Sequence, residues 1–434
     1  MVEVRVEQEK KTTCFLVGEQ SKTSQEETAP LELLGLVHTL GFEEVGFINV
    51  HIREVNPAYG LGTGKAQEIA DKAKAVNADC IIFDWEISPT KQRNWESLTG
   101  KSVLDRNEVI IRIFAQRAST KEATLQVNLA RLQYSLPRLS HFYTDLARQR
   151  GGAFGAKGSG ETQLELDRRR IEDKIVQIKK ELEQVENIRK TQRKQRERTA
   201  QASCALVGYT NAGKSSLLNA LTGANVFVEN KLFATLDPTT RKLALSEASF
   251  ILLTDTVGFI SNLPHTLIKA FRSTLEEAAY ADLLLVVIDA NDEENLMQYE
   301  QVQKVLQEIG ADNIEQQVVL NKIDLVCNDP VRMTLLDSRF PNAIKVSANT
   351  LFGFEELLDI IKDKLLGIER TFIVPMEQSS LVELVRKNGT IQSEEWLEDG
   401  IHLKARLHGT IENNVASSRT LSLLMPYLVQ MEVL

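Results

Sequence analysis

Apolar positions change their period several times along the chain, and each change predicts a different element. Between residue 12 and about residue 110, short apolar runs alternate with helical patterns. Thr12–Val17, Val45–His51, Cys80–Trp85 and Ser102–Leu104 read as buried strands, because a sheet covered on both faces needs apolar residues in succession. Leu31–Leu40, Ala66–Val76 and Lys91–Leu98 read as the helices between them, which is the rhythm of a parallel sheet. Residues 109–150 are predicted helical and are rich in arginine. From Glu161 the repeat becomes a heptad: Ile171, Ile175, Ile178, Leu182 and Val185 form one seam, with no Gly or Pro between Glu161 and Ala200. One arm of a short coiled coil is expected there. A second α/β pattern runs from Ala205 to about Gly367. Beyond it Thr371–Pro375 reads as a strand, Ser379–Lys387 as a helix, and Ile401–Leu407 alternates as a strand with one exposed face does. No internal repeat is visible.

These patterns predict a multidomain α/β fold. An N-terminal α/β domain spans 1–110, and a basic helical arm with a glycine-rich loop and coiled coil spans 111–199. A domain with a mostly parallel sheet and helices on both faces spans 200–368, and a small α/β domain spans 369–434. The 434 residues suit two to four domains, and 43% hydrophobic with 26% charged residues excludes a disordered or collagen-like chain. The longest apolar run, Leu283–Ile288, is far short of the roughly 20 residues that span a bilayer. Met1–Lys11 has no apolar core for a signal peptide. Cys14, Cys80, Cys204 and Cys327 are dispersed, so neither a disulfide framework nor a zinc site is expected, and a cytoplasmic setting fits.

Net charge is −9, which taken alone argues against a nucleic-acid partner. Its distribution reverses that inference. Residues 111–198 carry 20 Lys and Arg against 11 Asp and Glu. The cations include Arg112, Arg117, Lys121, Arg131, Arg138, Arg148, Arg150 and the cluster Arg189–Arg198. The glycine-rich stretch Gly151–Gly160, with Lys157 inside it, reads either as a flexible linker or as a loop that approaches a ligand closely.

Candidate chemistry is concentrated after Ala205. Gly208, Tyr209, Thr210, Asn211, Ala212, Gly213, Lys214 and Ser215 form GxxxxGK[ST] between a predicted strand and a predicted helix. Backbone amides of such a loop cradle phosphates at a helix N-terminus, Lys214 reaches the β- and γ-phosphates, and the Ser215 hydroxyl is a ligand for Mg²⁺. Asp255, Thr256, Val257 and Gly258 follow a second apolar strand. Asp255 is expected to hold Mg²⁺, and the Gly258 amide to meet the γ-phosphate. Asn321, Lys322, Ile323 and Asp324 follow a third strand. One carboxylate at Asp324 can accept from both N1–H and the 2-amino group of guanine, and adenine offers no such pair. Asn321 can brace base and loop, and the Lys322 stem can cover the ring. Ser347, Ala348 and Asn349 follow a fourth strand and could present an amide to guanine O6. Ligands bind where strands end in open α/β sheets, so four such pieces in this order predict a GTP/GDP site with Mg²⁺.

Between Lys214 and Asp255 lies Phe233, Ala234, Thr235, Leu236, Asp237, Pro238, Thr239, Thr240. A threonine here could complete the Mg²⁺ shell when γ-phosphate is present and so act as an order–disorder switch; Thr235, Thr239 and Thr240 all qualify. Lys214, the Gly258 amide and one of these three threonines are therefore the expected catalytic groups. After Gly258 stands Phe259, where Ras-like GTPases use Gln to orient water, so slow intrinsic hydrolysis is expected.

These motifs, with Gly60–Lys65, Asp105-Arg106, Ile113–Ala118, Leu125–Leu132, Pro137–Leu139 and Gly158–Arg170, resemble the HflX family of ribosome-associated GTPases over roughly residues 55–350. Ser119–Ala123 and Lys157–Gly160 depart from that family's usual pattern. The resemblance implies an N-terminal α/β domain with a helical hairpin, a G domain and a small C-terminal piece. It selects Thr235 as the switch ligand. It also implies binding to the large ribosomal subunit, with rRNA near the peptidyl transferase region, and GTP-dependent splitting of stalled or idle ribosomes; a monomer without a transmembrane segment is expected. The alternative is a GTP-switched RNA- or protein-binding module without splitting activity. Gly60–Lys65 also raises an independent nucleotide site in the N-terminal domain, against the simpler reading of a glycine turn before a helix.

Overall fold

The computed structural model describes residues 11–19, 29–51, 56–139, 159–198, 202–223, 232–233, 235–245, 250–261, 277–407 and 415–429. The glycine-rich loop 151–158, with Arg148, Arg150 and Lys157, lies outside the described residues, as does Ala234. The chain divides into two compact units, one within Met1–Thr191 and Glu229–Asp237, the other within Gln192–Val228, Pro238–Ser261 and Thr274–Leu434.

In the first unit, β1 (Thr13–Glu19), α1 (Leu31–Leu40), β2 (Glu43–Val50), α2 (Thr63–Ala75), β3 (Cys80–Phe83), α3 (Pro89–Thr99) and β4 (Ser102–Asp105) follow the expected rhythm. All four strands pair in parallel in the order β2-β1-β3-β4. Phe15, Val17, Ile81, Phe83 and Trp95 fill one core layer, and Trp95 packs edge-on against Tyr59 and at a tilt against Phe83. The arginine-rich stretch is two helices, α4 (Arg106–Arg117) and α5 (Lys121–Ser135). The break follows from capping: Thr120 Oγ1 accepts from the Ala123 amide, and Asp105 does the same for α4 through the Glu108 amide. Residue 110, the expected end of the first domain, therefore falls inside α4, whose Val109, Ile110, Ile113 and Phe114 are buried.

Asp105, Arg106 and Arg138 knit this unit together. Arg106 ion-pairs with Asp84 and Glu32. Arg138 lies over the Tyr134 ring and donates to Ile87 O and Asp105, while the Tyr134 hydroxyl donates to Asp105. Helix α6 (Ser159–Arg198) has 40 residues, roughly 60 Å at 1.5 Å per residue. Ile175 is buried and Ile171, Ile178, Leu182 and Val185 are half-buried, while Val176 and Ile188 on the opposite face are exposed, so the heptad seam is the shielded side. Arg189 of α6 pairs with Glu122 of α5 at 2.8 Å.

The second unit holds β5 (Ser203–Gly208), α7 (Lys214–Thr222), β6 (Thr239–Ala244), β7 (Phe250–Asp255), β8 (Leu283–Asp289), α8 (Asn295–Glu308), β9 (Gln316–Asn321), α9 (Pro330–Arg339), β10 (Ile344–Lys345) and α10 (Phe354–Leu366). The strand order is β10-β9-β8-β5-β7-β6, parallel except for β6. Leu283–Val287 of β8 are all at most 1% exposed, which a central parallel strand requires. The tail forms β11 (Glu369–Val374), α11 (Ser380–Asn388), β12 (Gly389–Leu397), β13 (Gly400–Leu407) and α12 (Val415–Leu424). Its antiparallel sheet runs β11-β13-β12 over a core that includes Val382, Val385 and Leu424. Among the described residues no helix is long and apolar enough to cross a membrane.

Candidate nucleotide-binding site

Four loops leave the carboxyl ends of β5, β7, β9 and β10 on one edge of the second unit's sheet. Gly208–Gly213 links β5 to α7, whose first residue is Lys214. The Lys214 amine is buried and donates to the Gly208 and Tyr209 carbonyls at 3.1 and 2.7 Å. Burial lowers its pKa to about 8, against the opposing pull of the Asp255 charge. Such a desolvated cation gains most from an anion brought beside it. Thr210 is buried, and its hydroxyl has no hydrogen-bond partner among the described residues. A Cβ built on Gly258 would stand 2.8 Å from Thr210 Cα and 3.1 Å from Lys214 Nζ, so Gly258, Thr210 and Lys214 converge on one point.

Asp255, fully buried at the end of β7, accepts from the Ser215 hydroxyl at 2.6 Å. Two hard oxygen donors in contact, one anionic, are a suitable pair of Mg²⁺ ligands. Thr256 donates to Leu206 O, fixing the start of this loop against β5. The next residues are zipped to the phosphate loop: the Thr210 amide donates to Phe259 O at 2.7 Å and the Phe259 amide to Gly208 O at 3.1 Å. The Tyr209 hydroxyl accepts from the Ser261 amide. Val257, Phe259 and Ile260 are buried. Phe259 thus serves as core, without a polar atom to present to water.

Asn321, 1% exposed, joins two loops. Its Nδ2 donates to Ala212 O at 3.0 Å, and its Oδ1 accepts from the Ala348 amide at 3.1 Å. The fit is close: a Cβ on Gly213, whose φ is +89°, would lie 2.2 Å from Asn321 Nδ2. Lys322 adopts a left-handed backbone at φ +62°, and its amine reaches Asp289 Oδ2 at 2.6 Å. Asp289 at the end of β8 was not singled out from the sequence, where an aspartate ending an apolar run was the available signal. Ile323 is buried, while Asp324 sits half-buried in a short turn. Ser347 is buried, and its hydroxyl accepts from the Thr350 amide; Ala348 and Asn349 follow on the same loop.

The switch segment divides. Thr239 and Thr240 lie in β6 of the second unit, where Thr240 bonds Thr254. Phe233, Thr235, Leu236 and Asp237 belong with the first unit. Phe233 packs edge-on against Phe114 of α4, and Leu236 is buried. The Asp237 carboxylate accepts four bonds, from the amides and hydroxyls of Ser119 and Thr120, at 2.5–3.2 Å. Burial raises its pKa, and the hydrogen bonds from Thr120 and Ser119 outweigh that and hold it below the usual carboxylate value. Ser119 and Thr120 were not anticipated as partners of this segment. Gly60–Lys65 forms a packed turn into α2: Leu61 is buried, Asn94 and Trp95 hold the carbonyls of Ala58 and Tyr59, and Lys65 pairs with Glu68.

A phosphate loop with a buried lysine, a carboxylate on the loop's serine, and an NKxD turn braced to the phosphate loop and to the Ser347–Asn349 loop define a P-loop GTPase. Comparisons with known proteins agree. Residues 27–115 match the family described as GTP-binding GTPase N-terminal, 117–196 the GTP-binding GTPase middle region, and 203–322 the 50S ribosome-binding GTPase family. The chain is 44% identical to the GTPase HflX of Akkermansia muciniphila, covering 96% of this chain and 99% of that protein. It is 41% identical to the GTPase HflX of Escherichia coli K12, covering 87% and 89%. A GTP-binding protein of Sulfolobus solfataricus, solved with GDP, is 26% identical with TM-score 0.44, covering 81% of this chain and 98% of that one. The chain belongs to the HflX family of GTPases. It binds guanine nucleotide and hydrolyses GTP.

Proposed function

We propose that this GTPase binds the large ribosomal subunit and, in its GTP state, splits stalled or idle ribosomes in the cytoplasm. The observation that carries the nucleotide half is the convergence of Lys214, Thr210 and Gly258 beside the Ser215–Asp255 pair. Lys214 holds the β- and γ-phosphates. Ser215 and Asp255 hold Mg²⁺, which when bound neutralises phosphate charge. Thr235 joins that set when a γ-phosphate is present, and the Gly258 amide meets the γ-phosphate itself. Asp324 reads the guanine edge, and the Lys322 stem covers the ring. Asn321 keeps the phosphate loop and the Ser347–Asn349 loop at a fixed separation. Phe259 offers no group to orient water, so hydrolysis by the isolated protein is slow and the ribosome accelerates it. A single-turnover measurement on the isolated protein should give a rate well below that with ribosomes, and equal fast rates would refute this.

Support for the ribosomal half is the match of residues 203–322 to a family described as 50S ribosome-binding, together with the cationic excess of residues 111–198. Helix α6 is long enough, at roughly 60 Å, to carry those cations well away from its root. Such an arm contacts rRNA near the peptidyl transferase region and competes there with contacts between subunits, and hydrolysis then releases the protein. Removing residues 111–198 would take out buried Ile113, Phe114 and Val127, so charge reversal is the cleaner test. Arg131→Glu, Arg168→Glu and Arg169→Glu alter exposed cations only. Ribosome co-sedimentation of the triple variant should weaken and lose part of its salt dependence. Unchanged binding and salt slope would exclude this arm as the RNA contact. Retained binding without subunit release would favour a GTP-switched binding module.

A further inference from the structure

We propose that Asp289 is a positioning residue for Lys322: its carboxylate holds the amine so that the aliphatic stem is already in place as the cover of the guanine ring. The inference rests on the reading of Lys322 as that cover.

Both ends of the Lys322 side chain are held within the second unit. At its root, Lys322 follows Asn321, whose side chain is braced between the phosphate loop and the Ser347–Asn349 loop. The Lys322 φ of +62° is a left-handed backbone that a residue with a Cβ keeps only where its surroundings enforce it. Here they do: the Ile323 amide donates to Val346 O at 3.2 Å, and the Leu325 amide donates to Lys322 O at 3.1 Å. At its tip, the amine meets Asp289 Oδ2 at 2.6 Å. Asp289 ends β8 directly opposite Asn321 in the β8–β9 register, and the Ala290 amide donates to Asn321 O at 2.9 Å. The carboxylate and the lysine it meets are therefore mounted on one stitched pair of strand ends. The second carboxylate oxygen, Oδ1, accepts from the Asn291 amide at 2.9 Å, which fixes the direction of Oδ2. Between its two ends the stem passes the phosphate loop, where a Cβ built on Gly213 would lie 4.0 Å from Lys322 Cε. The lysine side chain is 27% exposed and the aspartate 16%, so the pair is screened less than one on the open surface. Lysine is among the side chains that lose most rotamer freedom on ordering. An ion pair that has already ordered the stem removes that cost from nucleotide binding.

In the full-length protein, Asp289→Asn keeps an acceptor for the Asn291 amide and removes the anion. Affinities for GDP and for a non-hydrolysable GTP analogue should both fall roughly fivefold, the scale of a part-buried ion pair, because both carry the guanine ring. Ribose 5-diphosphate has the sugar and phosphates without the base, and its affinity in competition should stay within about twofold. Lys322→Met keeps an unbranched stem without the amine. On that background Asp289→Asn should change GDP affinity by less than about twofold, since a carboxylate with no amine to hold positions nothing. Lys322→Ala removes the stem and should cost GDP affinity at least as much as Asp289→Asn does. Loss in Lys322→Ala with none in Asp289→Asn overturns the positioning role alone. No loss in Lys322→Ala overturns it together with the cover assigned to Lys322. Equal loss for ribose 5-diphosphate and GDP in Asp289→Asn, or an undiminished loss of GDP affinity on the Lys322→Met background, overturns the proposal, because Asp289 then serves only the turn at Asn291.

Discussion

Asn321→Ala is the most direct perturbation of the site's architecture. The side chain donates to Ala212 O and accepts from the Ala348 amide, and it is 1% exposed. Each bond contributes about 0.5–1.5 kcal/mol, and a buried group left without its partner costs about 1–3 kcal/mol. Both orphaned groups are backbone atoms in loops with little freedom to find water. The brace is therefore worth about 2–4 kcal/mol, or roughly 30- to 1000-fold in an equilibrium constant. Amide exchange locates that loss: protection of the Ala348 amide should fall by about this factor, while central β8 amides change only as global stability does. GDP affinity should drop by at least about tenfold, because the phosphate loop and the base-side loop lose their fixed separation. Asn321→Asp discriminates further. It keeps an acceptor for the Ala348 amide but sets a carboxylate oxygen against Ala212 O, so it should be at least as damaging as alanine. Wild-type stability and affinity in Asn321→Asp, or a loss under about 0.5 kcal/mol in Asn321→Ala, would refute the brace.

Lys214 imposes a pH dependence whose sign is fixed by its pKa of about 8. Unfolding returns the amine to its ordinary value near 10.5, so between these values the unfolded chain binds more protons and this group's contribution to stability rises with pH. A bound phosphate favours the charged amine, so the complex takes up a proton above pH 8. GDP affinity should accordingly be insensitive to this group below about pH 8 and fall by up to about tenfold per unit above it; affinity unchanged up to pH 9.5 would contradict the assignment. Asp324→Asn should reverse base preference from GTP toward XTP in competition binding, and persistent preference for GTP would remove Asp324 from base recognition.

Much of this molecule is legible in its apolar periodicity. Strands β1, β3 and β4 come out within a few residues of the predicted runs, and the longest apolar run, Leu283–Ile288, falls in β8, because parallel strands buried on both faces need uninterrupted Val, Ile and Leu. The nucleotide loops are legible because the motif residues and their strand context occur together. Other features are hidden for physical reasons. The α4–α5 break is signalled only by one capping threonine in a continuous arginine-rich stretch. Strand β12, Gly389–Leu397, has a polar middle and among the described residues pairs only with β13, leaving Trp396 and Leu397 exposed, so no alternation announces it. The Asp237 contacts with Ser119 and Thr120 span more than a hundred residues, and the bond between Lys322 and Asp289 joins two strand ends. No local pattern encodes such pairings; they appear only once the sheets assemble.

The central claim is that GTP, rather than nucleotide in general, drives ribosome splitting. Sucrose-gradient sedimentation of intact ribosomes incubated with the protein and GTP, GDP or a non-hydrolysable GTP analogue tests it most directly. The account predicts free subunits with GTP and with the analogue, the protein travelling with the large subunit, and intact ribosomes with GDP. Equal release with GDP, or ribosomes that stay intact with the analogue while the protein co-sediments, would contradict it.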